Sequence, residues 1–224
     1  MNPVDYRLCL NKALQKNRGL PSSDSGWLAM IRYNSNQSDP YAASNGVLLN
    51  LLEITRQDDL DMAERLFVAW RETNLSRIFT YDAQLLNRIH HHLFQDLYSW
   101  AGQYRTVNIS KGEAPFAPPQ HIAASIMALV EKYPLKTLNV ATPEKFADLL
   151  AEITSEYNAI HPFREGNGRS IRALAVLLAE HCGHSLNWTP VTREQWTKAS
   201  VNSFYGSAEC MERLVRQAMG LLAE

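Results

Sequence analysis

HPFREGNGRS, residues 161–170, decides the reading of this chain. It stands between two stretches of helical periodicity, and a further arginine, Arg172, follows it. Ten residues carry a histidine, a carboxylate, an asparagine flanked by glycines, and an arginine. A packed core would reject most of them. His161 falls at the C-terminal end of the first helical stretch, and Pro162 prevents that helix from continuing. Phe163 reads as an apolar plug that holds the connection to the core. Gly166, Asn167 and Gly168 can take backbone shapes that most side chains forbid, so backbone N–H groups can converge on one point. The next helix is expected to start at about Gly168. A glycine-rich turn entering a helix is an anion site: free donors and the positive end of the dipole point the same way.

The side chains extend that reading. Arg169 and Arg172 are spaced i, i+3 and share a helix face. Two guanidinium forks beside a nest of amides suit a polyphosphate. Glu165 would repel a phosphate unless a divalent cation lay between them, and Mg²⁺ typically takes one or two carboxylates plus phosphate oxygens and water. His161 is the one group in the connection that can accept a proton near neutral pH. The residues therefore suit a nucleotide with Mg²⁺, a phosphate cradle and a base. They also suit a plain turn with a structural histidine and a surface Glu–Arg pair.

Outward from this connection the pattern is helical. In residues 59–72, Leu60, Ala63, Phe67 and Trp70 recur at helical spacing, and in 81–100 Leu86, Ile89, Leu93, Leu97 and Trp100 share a face. That second helix is expected to end at Ala101-Gly102. Residues 121–133 place Ile122, Ile126, Leu129 and Tyr133 on a stripe. Thr142-Pro143-Glu144 starts a helix through Ile160, with Thr as cap and Pro at the first position. Residues 170–183 are strongly apolar and stop at Gly183. Residues 193–206 and 207–224 supply two more helices.

One segment departs from this pattern. In YRTVNISKGEAPFAPP, residues 104–119, positions 104–109 alternate in a β-friendly way and Lys111-Gly112 supplies a turn. The prediction is a lone β-hairpin on a helical body, either a flap over a cleft or a surface turn. Residues 1–38 read as an N-terminal lead-in, partly irregular, with WLAMIRY (27–33) as a short apolar island between turn-rich stretches.

The 224 residues carry a net charge of −1, so no basic excess argues for direct nucleic acid binding. Cys9, Cys182 and Cys210 have no C-x-x-C spacing and read as reduced thiols of a cytoplasmic protein. The start lacks the pattern of a secretory signal, and no apolar stretch suggests a membrane span. His90-His91-His92 cannot converge on one metal from a helix, where successive side chains point about 100° apart. His181, Cys182 and His184 lack a fourth zinc ligand.

The segment 161–172 resembles the signature of the Fic family, H-P-F-x-[D/E]-G-N-G-R-x-x-R, at every fixed position. IHHHLFQDLYSWAGQYRTVNISKG resembles that family's first helix and flap, and residues 39–60 resemble the segment that precedes it. The resemblance covers roughly residues 39–220 and makes 39–224 the Fic domain. It implies an all-α Fic fold, a compact bundle of about eight helices with a β-hairpin flap over the active site. It also implies transfer of AMP from ATP to a Tyr, Thr or Ser hydroxyl of a target protein. His161 is then the base and Glu165 the ligand of Mg²⁺ (or Mn²⁺). Gly166, Asn167 and Gly168 form the anion hole, and Arg169 and Arg172 contact the outer phosphates. Lys111 and Gly112 at the hairpin tip approach the nucleotide, and the hairpin docks the target by strand-like pairing.

Relatives that transfer phosphate, the Doc branch, have Lys in place of the second loop glycine; Gly168 favours AMP transfer here. Transfer of UMP or phosphocholine, or a catalytically silent binding module, are the alternatives. Many Fic proteins carry an inhibitory helix, [S/T]-x-x-x-E-[G/N], and no Glu of this sequence fits it. In the family that absence goes with a small separate antitoxin, so the resemblance implies the toxin of a toxin–antitoxin pair. Targets in that branch include the ATPase subunits of type II topoisomerases.

Overall fold

The computed structural model describes residues 39–75, 79–111 and 114–222. The lead-in at 1–38, including WLAMIRY, and Gly112 lie outside the described residues. Among those described, eight α-helices follow in order: α1 (Gln57–Glu72), α2 (Leu85–Phe94), α3 (Ile122–Lys132), α4 (Leu135–Leu138), α5 (Pro143–Ile160), α6 (Asn167–His181), α7 (Arg193–Phe204) and α8 (Glu209–Ala218).

The apolar stripes explain the packing. Leu60, Ala63 and Phe67 of α1 and Leu86, Ile89 and Leu93 of α2 are buried together. α2 lies against α1 and α6, and α5 against α3, α6, α7 and α8. Helices α5 and α6 are the central pair, and the connection 161–166 joins them. Their starts differ in kind. Thr142 caps α5, its hydroxyl accepting the Lys145 N–H at 3.3 Å. Gly166, with φ of 81°, precedes α6 and offers no side-chain cap. Thr192 and Gln195 close a reciprocal capping box at α7.

Two sequence expectations need correction. The helix expected over 81–100 stops at Phe94. Leu97 and Trp100 are buried as expected, but from tight turns. The reason is tertiary: Asp96 is taken by Arg71 at 2.7 Å, and the Leu97 carbonyl accepts the Leu51 N–H at 2.8 Å. The alternating stretch 104–109 forms no strand. Its backbone is spent on other partners: Arg105 N–H donates to the Pro162 carbonyl at 2.9 Å, and Thr106 N–H to the Tyr41 hydroxyl at 3.1 Å. Among the described residues the strands of this segment are β1 (Ser110–Lys111) and β2 (Ala114–Pro115), antiparallel, with Ser110 opposite Pro115, and the Phe116 N–H donates to the Ile109 carbonyl at 3.2 Å. The roots lean on a small apolar cluster of Val107, Ile109 and Phe116, against which Tyr41 and Phe204 pack.

Candidate active site

The connection between α5 and α6 is fixed by its own side chains. His161 takes a left-handed backbone, φ 50°, and its N–H still donates to the Tyr157 carbonyl at 3.0 Å. Phe163 is fully buried and stacks on His90 at 3.9 Å. Asn167 turns inward: its Oδ1 accepts the Phe163 N–H at 2.9 Å and its Nδ2 donates to the Phe163 carbonyl at 2.8 Å. That pair of bonds closes the loop. At Gly166 an added Cβ would lie 2.5 Å from the Phe94 ring, on a backbone already at positive φ, so this position has room for glycine alone.

The first intrahelical bond of α6 runs from Ser170 N–H to the Gly166 carbonyl at 3.0 Å. The amides of Asn167, Gly168 and Arg169 therefore have no acceptor within the helix, and they stand at the positive end of its dipole. The Gly166 N–H is directed elsewhere, to Glu165 Oε1 at 2.9 Å.

A carboxylate from α1 joins the site. Glu64 is buried; its Oε2 accepts from Arg169 Nη2 at 2.6 Å and its Oε1 from the Tyr98 hydroxyl. Arg169 also lies 3.7 Å from Glu165 and over the Phe94 ring. Burial, then the charge of Glu64, raises the Glu165 pKa against the pull of Arg169. Arg172 lies over the Trp196 ring, and its Nε donates to the Gly168 carbonyl at 3.3 Å. Partial desolvation raises Glu72, at the end of α1, against the opposing charges of Arg172 and Arg169.

Two buried histidines flank the loop with different duties. His161 Nδ1 meets the Asn158 carbonyl at 3.1 Å, which makes Nδ1 the protonated nitrogen of the neutral ring and puts the lone pair on Nε2. Its ring stacks on Phe116 at 3.9 Å. A cavity of about 70 Å³ opens beside it, lined by Phe116, Asn158, Ser200, Val201, Phe204 and Tyr205. His90 is a strut. Its Nδ1 accepts the Gly102 N–H at 2.8 Å and its Nε2 donates to the Glu165 carbonyl at 2.9 Å. Burial pushes its pKa down to about 3.

The Fic/DOC family model matches residues 80–179. A probable protein adenylyltransferase, y4lH of Sinorhizobium fredii, is 30% identical over 190 residues, covering 84% of this chain and 99% of that protein. This chain belongs to the Fic/DOC family. The protein adenylyltransferase VbhT of Bartonella schoenbuchensis is 33% identical over 192 residues, 84% of this chain and 40% of VbhT; the chain spans about two fifths of that longer relative. The crystal structure of the effector BepC of Bartonella tribocorum, solved with bound AMPPNP, superposes with a TM-score of 0.74 at 25% identity, covering 80% of this chain and 95% of that one.

Within this Fic chain the loop brings His161, Glu165, Gly166, Asn167, Gly168, Arg169 and Arg172 into one neighbourhood. Lys111 lies in β1, and Gly112 lies outside the described residues. The donor set around Glu165 fits a hard cation completed by phosphate and water. The Glu165 side chain is about one third exposed beside open amides, and among the described residues no group of three or more His, Cys, Asp or Glu side chains forms a metal cage. Glu64, Tyr98 and His90 were not legible as site residues. The surviving signal was weak: His90 is one histidine of a run of three, twelve residues before Gly102, and Glu64 is a lone acid on an apolar stripe.

Proposed function

We propose that this chain is a protein adenylyltransferase that moves AMP from ATP to a Tyr, Thr or Ser hydroxyl of a target protein. One observation carries the reading: a histidine at the C-terminal end of α5 and three open amides at the N-terminal end of α6 are held by one closed loop. The family relatives named as adenylyltransferases support it.

The chain's groups divide the work. His161 Nε2 takes the proton of the target hydroxyl as its oxygen attacks the α-phosphorus in line. The Nδ1 bond to Asn158 holds the tautomer that permits this. The amides of Asn167, Gly168 and Arg169 receive phosphate oxygens without reorganising, which is where preorganised donors are most effective. Asn167 contributes through its backbone, since its side chain closes the loop. Arg172, over the Trp196 ring, takes outer-phosphate charge. Glu165 would hold Mg²⁺ or Mn²⁺. A bound divalent ion offsets charge on the pyrophosphate leaving group. The β1–β2 pairing and the turn at Lys111-Gly112 act as the flap that aligns an extended target segment by strand-like pairing. The lack of an inhibitory [S/T]-x-x-x-E-[G/N] pattern in the sequence supports control by a separate antitoxin. Type II topoisomerase ATPase subunits are the first targets to offer.

The test uses wild type and His161→Ala with Mg²⁺, bacterial lysate, and ATP labelled at the α or the γ phosphate. Protein-bound label should come from α-labelled ATP only. It should fall by about 10²- to 10⁴-fold in the variant while ATP still binds. Label from the γ position would make the chain a kinase. Nucleotide binding without label from wild type would make it a binding module.

A further inference from the structure

We infer that Arg105 is a positioning residue, setting the place of His161 relative to the β1–β2 hairpin; the inference rests on the transferase reading above. Arg105 is 2% exposed, the largest fully buried side chain described. Its acceptors are backbone carbonyls. Nε donates to His161 at 2.8 Å, Nη1 to Val107 at 2.8 Å, and Nη2 to Ala117 and, at 3.3 Å, to Ile160. Its own N–H donates to the Pro162 carbonyl at 2.9 Å. Among the described residues no carboxylate lies within ion-pair distance of it.

A buried charge normally requires a counter-charge. Here the negative end of α5 provides it. The last turn of α5 holds no basic residue of its own, and Ile160 and His161 are its terminal carbonyls. Arg105 therefore caps α5 from another part of the chain. The same planar fork reaches Val107 before β1 and Ala117 after β2. One side chain thus joins both roots of the hairpin to the residue that carries the reactive nitrogen. The stack of Phe116 on His161, next to Ala117, holds the same junction from the other side. The α6 amides and Arg172 lie outside this junction, so its loss should separate alignment of the target from nucleotide binding.

Lysine is a point charge with three donors and cannot span four carbonyls in a plane. For Arg105→Lys we expect the apparent kcat of AMP transfer into lysate proteins to fall about 10- to 100-fold, the scale of a misplacement near 1 Å. The KM for ATP and the Kd for a non-hydrolysable ATP analogue should stay within about twofold, as the cradle is untouched. Hydrogen exchange without substrate should be at least ~10-fold faster at the Arg105, Thr106 and Phe116 amides, with the middle of α5 unchanged. Nucleotide affinity falling in step with kcat, or an unchanged kcat, would overturn the inference. If Arg105→Lys does not fold, Arg105→Gln keeps a neutral planar donor and is judged by the same split. Should wild type transfer no AMP, the transferase reading fails, while the exchange pattern still reports whether the clamp exists.

Discussion

The loop at 161–169 has two shoulders, each fastened by a guanidinium, and the two are built in opposite ways. At the His161 shoulder the arginine arrives from outside, Arg105, and bonds only to backbone carbonyls. At the Arg169 shoulder the arginine belongs to the signature itself and is received by a carboxylate, Glu64, which Tyr98 also holds. The first arrangement reads backbone path: it fails if a carbonyl moves. The second reads charge: it fails if a partner is neutralised. His161 is therefore tied to geometry, and Arg169 is tied to charge.

The turn between the shoulders is where both should break together. Gly166→Val puts side-chain atoms into the Phe94 ring, where even a Cβ would come within 2.5 Å, on a backbone at φ 81°. Overpacking and a left-handed β-branched residue together should cost about 3–4 kcal/mol. Urea denaturation measures it, and nucleotide binding should be lost with it. A variant as stable as wild type would show that the loop can be rebuilt around a side chain.

Glu64→Leu should break the charge-held shoulder alone. It strips Arg169 of its nearest carboxylate and leaves the Tyr98 hydroxyl without that acceptor. Removing one partner of a buried pair typically costs 3–5 kcal/mol; Arg169 is about one fifth exposed, so about 2–3 kcal/mol is expected. Because the His161 shoulder is untouched, residual transfer activity should exceed that of His161→Ala by at least ~10-fold. Equal losses would mean that the two shoulders are not independent. The exposed pair Lys132–Glu156, 3.0 Å apart, provides the contrast: Lys132→Ala should change nothing measurable.

The two shoulders also explain what the sequence revealed. That His161, Glu165, Gly166 and Arg169 would come together was legible from one short connection between two helices, and the resemblance to the Fic signature is what suggested roles for them. Helices α1, α3 and α5–α8 were legible from apolar spacing and from Thr142-Pro143 and Gly183. The early end of α2 was not, because Asp96 and the Leu97 carbonyl are claimed by α1 and by residue 51, and periodicity does not see long-range partners. Residues 104–109 alternate like a strand, yet their amides go to Pro162 and Tyr41. Arg105 looked like one polar residue in that alternation, since its role lies in carbonyls, which every residue has. That the Asn167 side chain closes the loop on Phe163 was not legible, because spacing does not show which way an amide turns.

His90 bridges the region between the shoulders, and its titration supplies a further, pH-dependent effect. The ring is neutral, with Nδ1 accepting from Gly102 and Nε2 donating to Glu165, and burial holds its pKa near 3. In the unfolded chain its pKa is about 6.5. The unfolded state thus gains a proton, as pH falls below about 6.5, that the folded state refuses until about 3. The stability contribution is complete above that upper value and is lost progressively on acidification. Between pH 7.5 and pH 5 the loss from this residue alone is about 2 kcal/mol. His90→Leu will be less stable at every pH, because it strands a buried amide and a carbonyl. The informative quantity is the difference in slope. Wild type should lose about 2 kcal/mol more than the variant over that interval in parallel urea titrations. Parallel slopes would mean that His90 is protonated in the folded protein, with Nδ1 no longer able to accept from Gly102. The strut under Glu165 would then be a charge, and the Arg169 shoulder would hold one cation more than the hydrogen bonds imply.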